Sequence, residues 1–370
     1  MQRRIKRGRN MGEMDSRCDK KAVVKYAGAF IAWVIGSGFA TGQEILQFFT
    51  SYGYYSYGVV ILNLIGFLFL GNILLTTGYD HKKDSGFNHF TYYCGKRAGD
   101  FYSWLVLATL LLLIAVLVSG AGATLYEYYG LNRYIGSLIM SALVLGAYLV
   151  GFERLIRIVS AIGPVIILFT LLVGVVTVIR DFGNITQTGM YGAALAGLRP
   201  SPSWLVSSVL YLSLNFLSGS TYFTALGMTA KSRKDAKWGA VWGAATLVLS
   251  IAIMNTAILL HGGTAASLSV PTLYLAKKIS FVLGAVFSIV LVLGIFSSCS
   301  TMMWTVCNRI PSPPGAGKHG MAVVIAAFTY VLGMLPFSKL VNLFYPLVGY
   351  LGLVFIACVI YRGIKGLFVL

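Results

Sequence analysis

Charge is scarce in this chain of 370 residues: 11% of it is Asp, Glu, Lys or Arg, and only 11 residues are acidic. A soluble globular protein is nearer a quarter charged. Histidine is rarer still, at four, and His81, His89, His261 and His319 fall in loops or at the ends of apolar runs. No two of them have metal-ligand spacing. The chain also lacks a glycine-rich phosphate loop, a nucleophile elbow and any pair of carboxylates inside an apolar run, which argues against an enzyme. Cysteine is sparse, with five in all and no metal-type spacing. Cys18 and Cys94 fall in polar segments, Cys299, Cys307 and Cys358 in apolar ones, so free thiols are expected rather than a disulfide framework.

What the chain has is apolar residue, 57% of it, with a mean hydropathy of +0.79. That content falls into ten runs of about 18–30 residues, long enough for helices to cross a bilayer. The runs lie near 23–49, 57–79, 101–128, 133–151, 154–179, 203–229, 237–260, 278–308, 319–336 and 338–361. An all-α membrane protein of ten transmembrane helices is therefore expected. The net charge of +18 raises the question of nucleic acid. The placement of the charge answers it, because no interleaved basic-aromatic groove appears in a soluble domain. Of 29 Lys and Arg residues, 22 fall in segments on the N-terminal side of the membrane and six on the other, with Lys25 at the end of the first run. This is the positive-inside pattern and predicts a multi-pass protein of the cell membrane with cytoplasmic termini, its basic excess facing anionic lipid. Residues 1–22 form a basic cytoplasmic tail expected to be disordered. The first apolar run is too long for a signal peptide and shows no small-residue cleavage site.

Within that run the segment Gly36-Ser37-Gly38-Phe39-Ala40-Thr41-Gly42-Gln43-Glu44 interrupts the span. Irregular backbone survives at membrane depth only where protein or a water-filled cavity covers it. A broken helix exposes unpaired amides at one end and carbonyls at the other, a pairing that suits a carboxylate and a cation respectively. Gly36, Ser37, Gly38 and Thr41 are the candidate ligand residues here. The alternative is helix packing through Gly38 and Gly42, a small-xxx-small pair. Glu44 is the one acidic residue well inside a span. Such a carboxylate is costly, faces the protein interior and calls for a task, such as coupling through a proton or a cation. The competing assignment is a capping box, with Thr41 as N-cap and Glu44 reaching back to the Thr41 amide.

The span starts of the second half repeat those of the first at an offset of about 180 positions. The expected units are 23–180 and 203–361, joined by an external loop at 181–202 and followed by a cytoplasmic C-terminus at 362–370. Five spans is an odd number, so the halves have inverted topology, a feature of secondary transporters with discontinuous helices in matching positions. Span 6 should then be broken like span 1, at its cluster Ser213, Asn215, Ser218, Gly219, Ser220 and Thr221. Phe216, Ser218 and Gly219 are the candidate ligand residues on that side. Asn63, Asn72, Asn255 and Asn342 are expected to hydrogen-bond between helices. The segment from His261 to Lys278 is long for a simple connection and is a candidate lid.

The run GSGFATGQEILQFF resembles the first-helix signature of the YkvI-like amino-acid permeases, of the amino acid–polyamine–organocation superfamily with the LeuT-type 5+5 fold. The resemblance implies a bundle of spans 1, 2, 6 and 7 moving against spans 3, 4, 8 and 9, with the substrate at the two breaks. It also implies a candidate Na+ site at Gly294, Ser297 and Ser298 in span 8, whose hydroxyl and carbonyl oxygens would act with carbonyls of the first break. Serines in membrane helices otherwise bond their own backbone or a neighbouring helix. The expectation is a secondary active transporter for an amino acid or amine, coupled to Na+ or H+ and needing no cofactor beyond that ion. A channel with broken helices is the alternative, and a non-transporting sensor a weaker one. The sequence leaves substrate, coupling ion, direction of coupling and oligomeric state open.

Overall fold

The computed structural model describes residues 18–150, 152–310 and 316–368. The basic tail before Cys18 lies outside them. No strand occurs among the described residues.

The first span is in pieces. Helix α1 (Lys20–Val34) opens on Asp19, whose side chain accepts from the Lys21 amide at 3.0 Å. It stops at Ile35 and Gly36. Helix α2 (Ser37–Thr41) follows, then α3 (Gln43–Phe48), with Gly42 between them at φ +80°. That left-handed conformation costs glycine nothing and any other residue something, so Gly42 is where the chain can turn. A 3-10 stretch over Thr50–Tyr55 leads into α4 (Ser56–Asp80).

Helix α5 (His89–Tyr129) begins earlier than the apolar run of span 3, because Asn88 caps its first turn by accepting from the Phe90 amide at 2.9 Å. It is kinked at Gly95. Helices α6 (Arg133–Val150) and α7 (Phe152–Asp181) complete the first half. A 3-10 stretch (Phe182–Tyr191) and the short α8 (Gly192–Ala196) connect to α9 (Trp204–Met228) and α10 (Arg233–Leu259). The loop beyond α10 holds α11 (Gly262–Ala265) and α12 (Pro271–Ile279). Helices α13 (Phe281–Arg309), α14 (Ala316–Gly333) and α15 (Phe337–Phe368) finish the order.

Among the described residues seven helices are long and apolar enough to cross a membrane unaided, with Gly317–Gly333 a shorter apolar helix. The expected count of ten is not met by that criterion. Span 1 is cut into short helices, and the serines, threonines and asparagine of α9 dilute its hydropathy.

Span 6 departs from expectation. Helix α9 runs unbroken from Trp204 to Met228. Three members of its polar cluster bond back inside the helix: the Ser218 hydroxyl donates to the Leu214 carbonyl at 2.7 Å, the Ser220 hydroxyl to Leu217 at 3.1 Å, and the Asn215 amide to Tyr211 at 2.9 Å, while the buried Ser213 and Thr221 hydroxyls have no partner. Hydroxyls and amides that bond back one turn need no break to be paired. Gly219 is helical too. It makes room for a neighbour, since a side chain there would strike the Trp33 indole.

Packing follows the glycines. Gly78 of α4 and Gly227 of α9 let those two helices touch backbone to backbone. An aromatic cluster fills the space between α1, α4 and α9, with Phe30 stacked on Phe223 at 4.7 Å and Phe216 set against Phe67 at 5.2 Å. Two of the expected asparagine contacts are present. Asn63 donates to Ser208 at 3.0 Å, and Asn255 accepts from Thr50 at 3.0 Å while donating to Ser56 at 2.8 Å. All five cysteines are free.

Candidate functional site

The break between α1 and α2 is the centre of the site. The first amides of α2 and the last carbonyls of α1 have no partners within their own helices by helix geometry. Gly36 is half-buried and Gly38 buried. Ser37 starts α2, and its side chain lies outside what is described. Thr41 is fully buried and turns inward on its own helix, its hydroxyl donating to the Gly38 carbonyl at 2.7 Å. The N-cap of α3 is therefore Gly42 rather than Thr41, and the capping box between Thr41 and Glu44 does not form.

Glu44 points elsewhere. It is 6% exposed, in the first turn of α3. Its carboxylate oxygen and the Tyr345 hydroxyl of α15 converge on Gly38: a Cβ there would lie 2.7 Å from Glu44 Oε2 and 2.6 Å from Tyr345 Oη. The Tyr211 hydroxyl of α9 also faces the carboxyl, without a hydrogen bond of good geometry. Among the described residues no Lys, Arg or His pairs with Glu44.

One side of the break is sealed. Helix α12 lies over it, and the buried Thr272 donates its hydroxyl to the Ala40 carbonyl at 2.6 Å. The Thr272 methyl fills the space a side chain at Gly42 would need, 2.7 Å from an ideal Cβ. The start of α12 is held in turn by Glu127 at the end of α5, whose two carboxylate oxygens accept from the Ser269 amide at 2.8 Å and the Val270 amide at 3.2 Å. A second anchor joins His261 and Lys278 to Asp181 at 2.9 and 3.1 Å. The segment from His261 to Lys278 is thus folded down as a closed lid.

The opposite side, towards the start of α1, is looser. Trp33, Gly36, Tyr222, Ser297 and Ser298 all keep partial exposure. Trp33 stacks on Tyr222 at 4.8 Å, and the Tyr222 hydroxyl donates to the Ala29 carbonyl at 3.1 Å. Of the three span 8 candidates, Ser298 lies beside the break, its hydroxyl 3.6 Å from where a Gly36 Cβ would sit. Gly294 backs onto Ile166 of α7 instead. Of the span 6 candidates, Gly219 lies under Trp33 beside the break. Phe216 belongs to the aromatic cluster with Phe67 and Phe223, and the Ser218 hydroxyl is spent on its own helix. A cavity of about 310 Å3 opens on the lid side, lined by Ser119, Tyr126, Glu127, Arg133 and Ser267 among others; it is not at the break.

Tyr211, Tyr345, Trp33 and Glu127 went unrecognised in the sequence as parts of this arrangement. The available signal was two tyrosines well inside apolar runs, away from the interfaces where tyrosine usually gathers.

No family model matches the chain. It is 24% identical over 346 residues to the uncharacterised membrane protein YkvI of Bacillus subtilis, covering 92% of this chain and 96% of that one. It is 21% identical over 340 residues to YyaD of the same organism, with the same coverage. Among solved structures, the Eremococcus coleocola manganese transporter superposes with a TM-score of 0.54 at 13% identity, covering 89% of this chain and 76% of that one. MhsT in complex with L-phenylalanine superposes with a TM-score of 0.53 at 12% identity, covering 87% of this chain and 80% of that one. The fold is LeuT-type. At 12 and 13% identity the likeness to the solved structures shows the fold alone.

Proposed function

We propose that the chain is a secondary active transporter that moves a small amino-acid-like solute by alternating access, with the solute bound at the break between α1 and α2. The observation that carries this reading is the asymmetry of the break, with α12 closed over it on one side and Trp33, Gly36, Tyr222 and Ser298 half-exposed on the other. A site reachable from one face at a time is what alternating access requires. The excess of Lys and Arg on the tail side makes that side the cytoplasm and the lid external.

The chemistry of the break supports an organic zwitterion. It offers free amides for a carboxylate, carbonyls for an ammonium group, and the Trp33 and Tyr222 rings for a side chain. Among the described residues no group of His, Cys, Asp and Glu gathers to hold a transition metal. Ser298, with its hydroxyl beside Gly36, supports a Na+ site shared between span 8 and the break; Ser297 and Gly294 complete that candidate set. Glu44 is the candidate coupling carboxyl.

Purified protein in proteoliposomes tests the reading. Labelled amino acids should enter saturably, and an excess of unlabelled amino acid trapped inside should accelerate that entry by counterflow. Conductance that rises without saturation and ignores the trapped solute points to a channel and overturns it.

A further inference from the structure

Glu44 is a buried carboxyl on α3 with an unusual set of neighbours. Its own helix adds Gln43 and Gln47, whose buried side-chain oxygens have no hydrogen-bond partner. Helix α9 adds the Tyr211 hydroxyl, fully buried and also without a well-formed hydrogen bond. Helix α15 adds the Tyr345 hydroxyl, with Cys299 of α13 behind it. On helix α10, which also packs against α3, Asn255 is already paired with Thr50 and Ser56. Among the described residues the carboxyl thus meets two phenols and no cation.

The packing limits what can sit there. A hard metal cation needs several oxygen ligands around an open centre. Here the Glu44 and Tyr345 oxygens lie directly against Gly38. A proton needs no such room, and an ionised carboxylate sealed among phenols and amides with no positive partner is costly.

We propose that Glu44 is a proton-carrying site, with the hydroxyls of Tyr211 and Tyr345 placed to donate to its carboxylate once the proton leaves and so to tie the broken span to α9 and α15. This deepens the transport reading and rests on it, naming the proton rather than Na+ as the ion at this carboxyl. Loss of the proton leaves a charge facing two phenols. A phenol hydroxyl donates more strongly to a carboxylate than to the neutral acid, so the charge draws α9 and α15 onto α3 and protonation releases them, which couples the proton to the movement of the outer half of span 1.

Infrared difference spectroscopy of the full chain in lipid at neutral pH, in sodium chloride and in choline chloride, tests the proposal without knowledge of the substrate. A carbonyl-stretch band of a protonated carboxylic acid should be present in the wild type and absent from Glu44→Gln. Tyr211→Phe and Tyr345→Phe should each shift it, because each removes a hydroxyl dipole that faces the carboxyl, and exchange of sodium for choline should leave it unmoved. The proposal is overturned if the Glu44→Gln difference contains only carboxylate bands, if sodium converts the acid band into carboxylate, or if neither phenylalanine variant moves the band. Should Glu44→Gln fail to fold, the band shift between wild type and Tyr345→Phe decides by itself. A missing acid band alongside saturable counterflow removes the proton site and spares the transport reading, whereas an intact band without counterflow does the reverse.

Discussion

The Thr272 hydroxyl of helix α12 donates to the Ala40 carbonyl of the broken span at 2.6 Å, with both residues fully buried. One hydrogen bond thus connects the lid directly to the segment it covers. Thr272→Val keeps the shape and removes the donor, leaving a buried carbonyl unpaired at a cost of about 1–3 kcal/mol. Amide hydrogen exchange should speed up in α12 and in Ser37–Phe48 together. Faster exchange in α12 alone would mean that the lid and the break are not linked.

Glu127 bears on the same lid from the scaffold side. Its carboxylate accepts two backbone amides at once, from Ser269 and Val270. Hydrogen bonds to charged groups contribute roughly 1.5–3 kcal/mol each. Glu127→Ala should therefore release the start of α12 more strongly than Thr272→Val does, and the exchange rates of residues 267–279 should rise in that order. An unchanged protection pattern in Glu127→Ala would show that the lid is held by its apolar face alone.

Gly38 is where backbone, carboxyl and phenol converge. In Gly38→Ala the new methyl meets Tyr345 Oη and Glu44 Oε2 within 2.7 Å, so something must shift. Overpacking of this kind costs about 1–3 kcal/mol. Removing the hydroxyl should relieve part of it, so Gly38→Ala combined with Tyr345→Phe is expected to be more stable than the sum of the single changes, as read by thermal unfolding in a double-mutant cycle. Strict additivity would place the strain elsewhere.

Span 6 offers a contrast between adjacent positions. The Ser218 hydroxyl is used on the Leu214 carbonyl, whereas Gly219 sits beneath the Trp33 indole. Ser218→Ala should leave the half-saturating concentration for counterflow within about twofold, a small loss for a hydroxyl that bonds only its own helix. Gly219→Ala should displace Trp33 and alter its fluorescence along with uptake. A large effect of Ser218→Ala would return that hydroxyl to the binding site.

Much of this protein was legible in the order of its residues. Apolar runs of spanning length imposed helices, because a bilayer tolerates no unpaired backbone. The glycines at 36, 38 and 42 predicted the break in the first span, since no plain lipid-facing helix needs them, and the length of the segment from His261 to Lys278 pointed to the lid. The sequence was misleading in span 6, where polar composition resembled a second break. Whether serines and an asparagine interrupt a helix or bond back to it depends on what packs around them, and in α9 the neighbouring helices left no reason to unwind.

The surroundings of Glu44 belong entirely to the tertiary structure. Local spacing offered Thr41 as a capping partner. The chain instead turned Thr41 onto the Gly38 carbonyl and brought tyrosines from α9 and α15 to the carboxyl. Hydropathy can say that a buried carboxyl must face inward; only the crossing of three distant helices decides which groups it faces there.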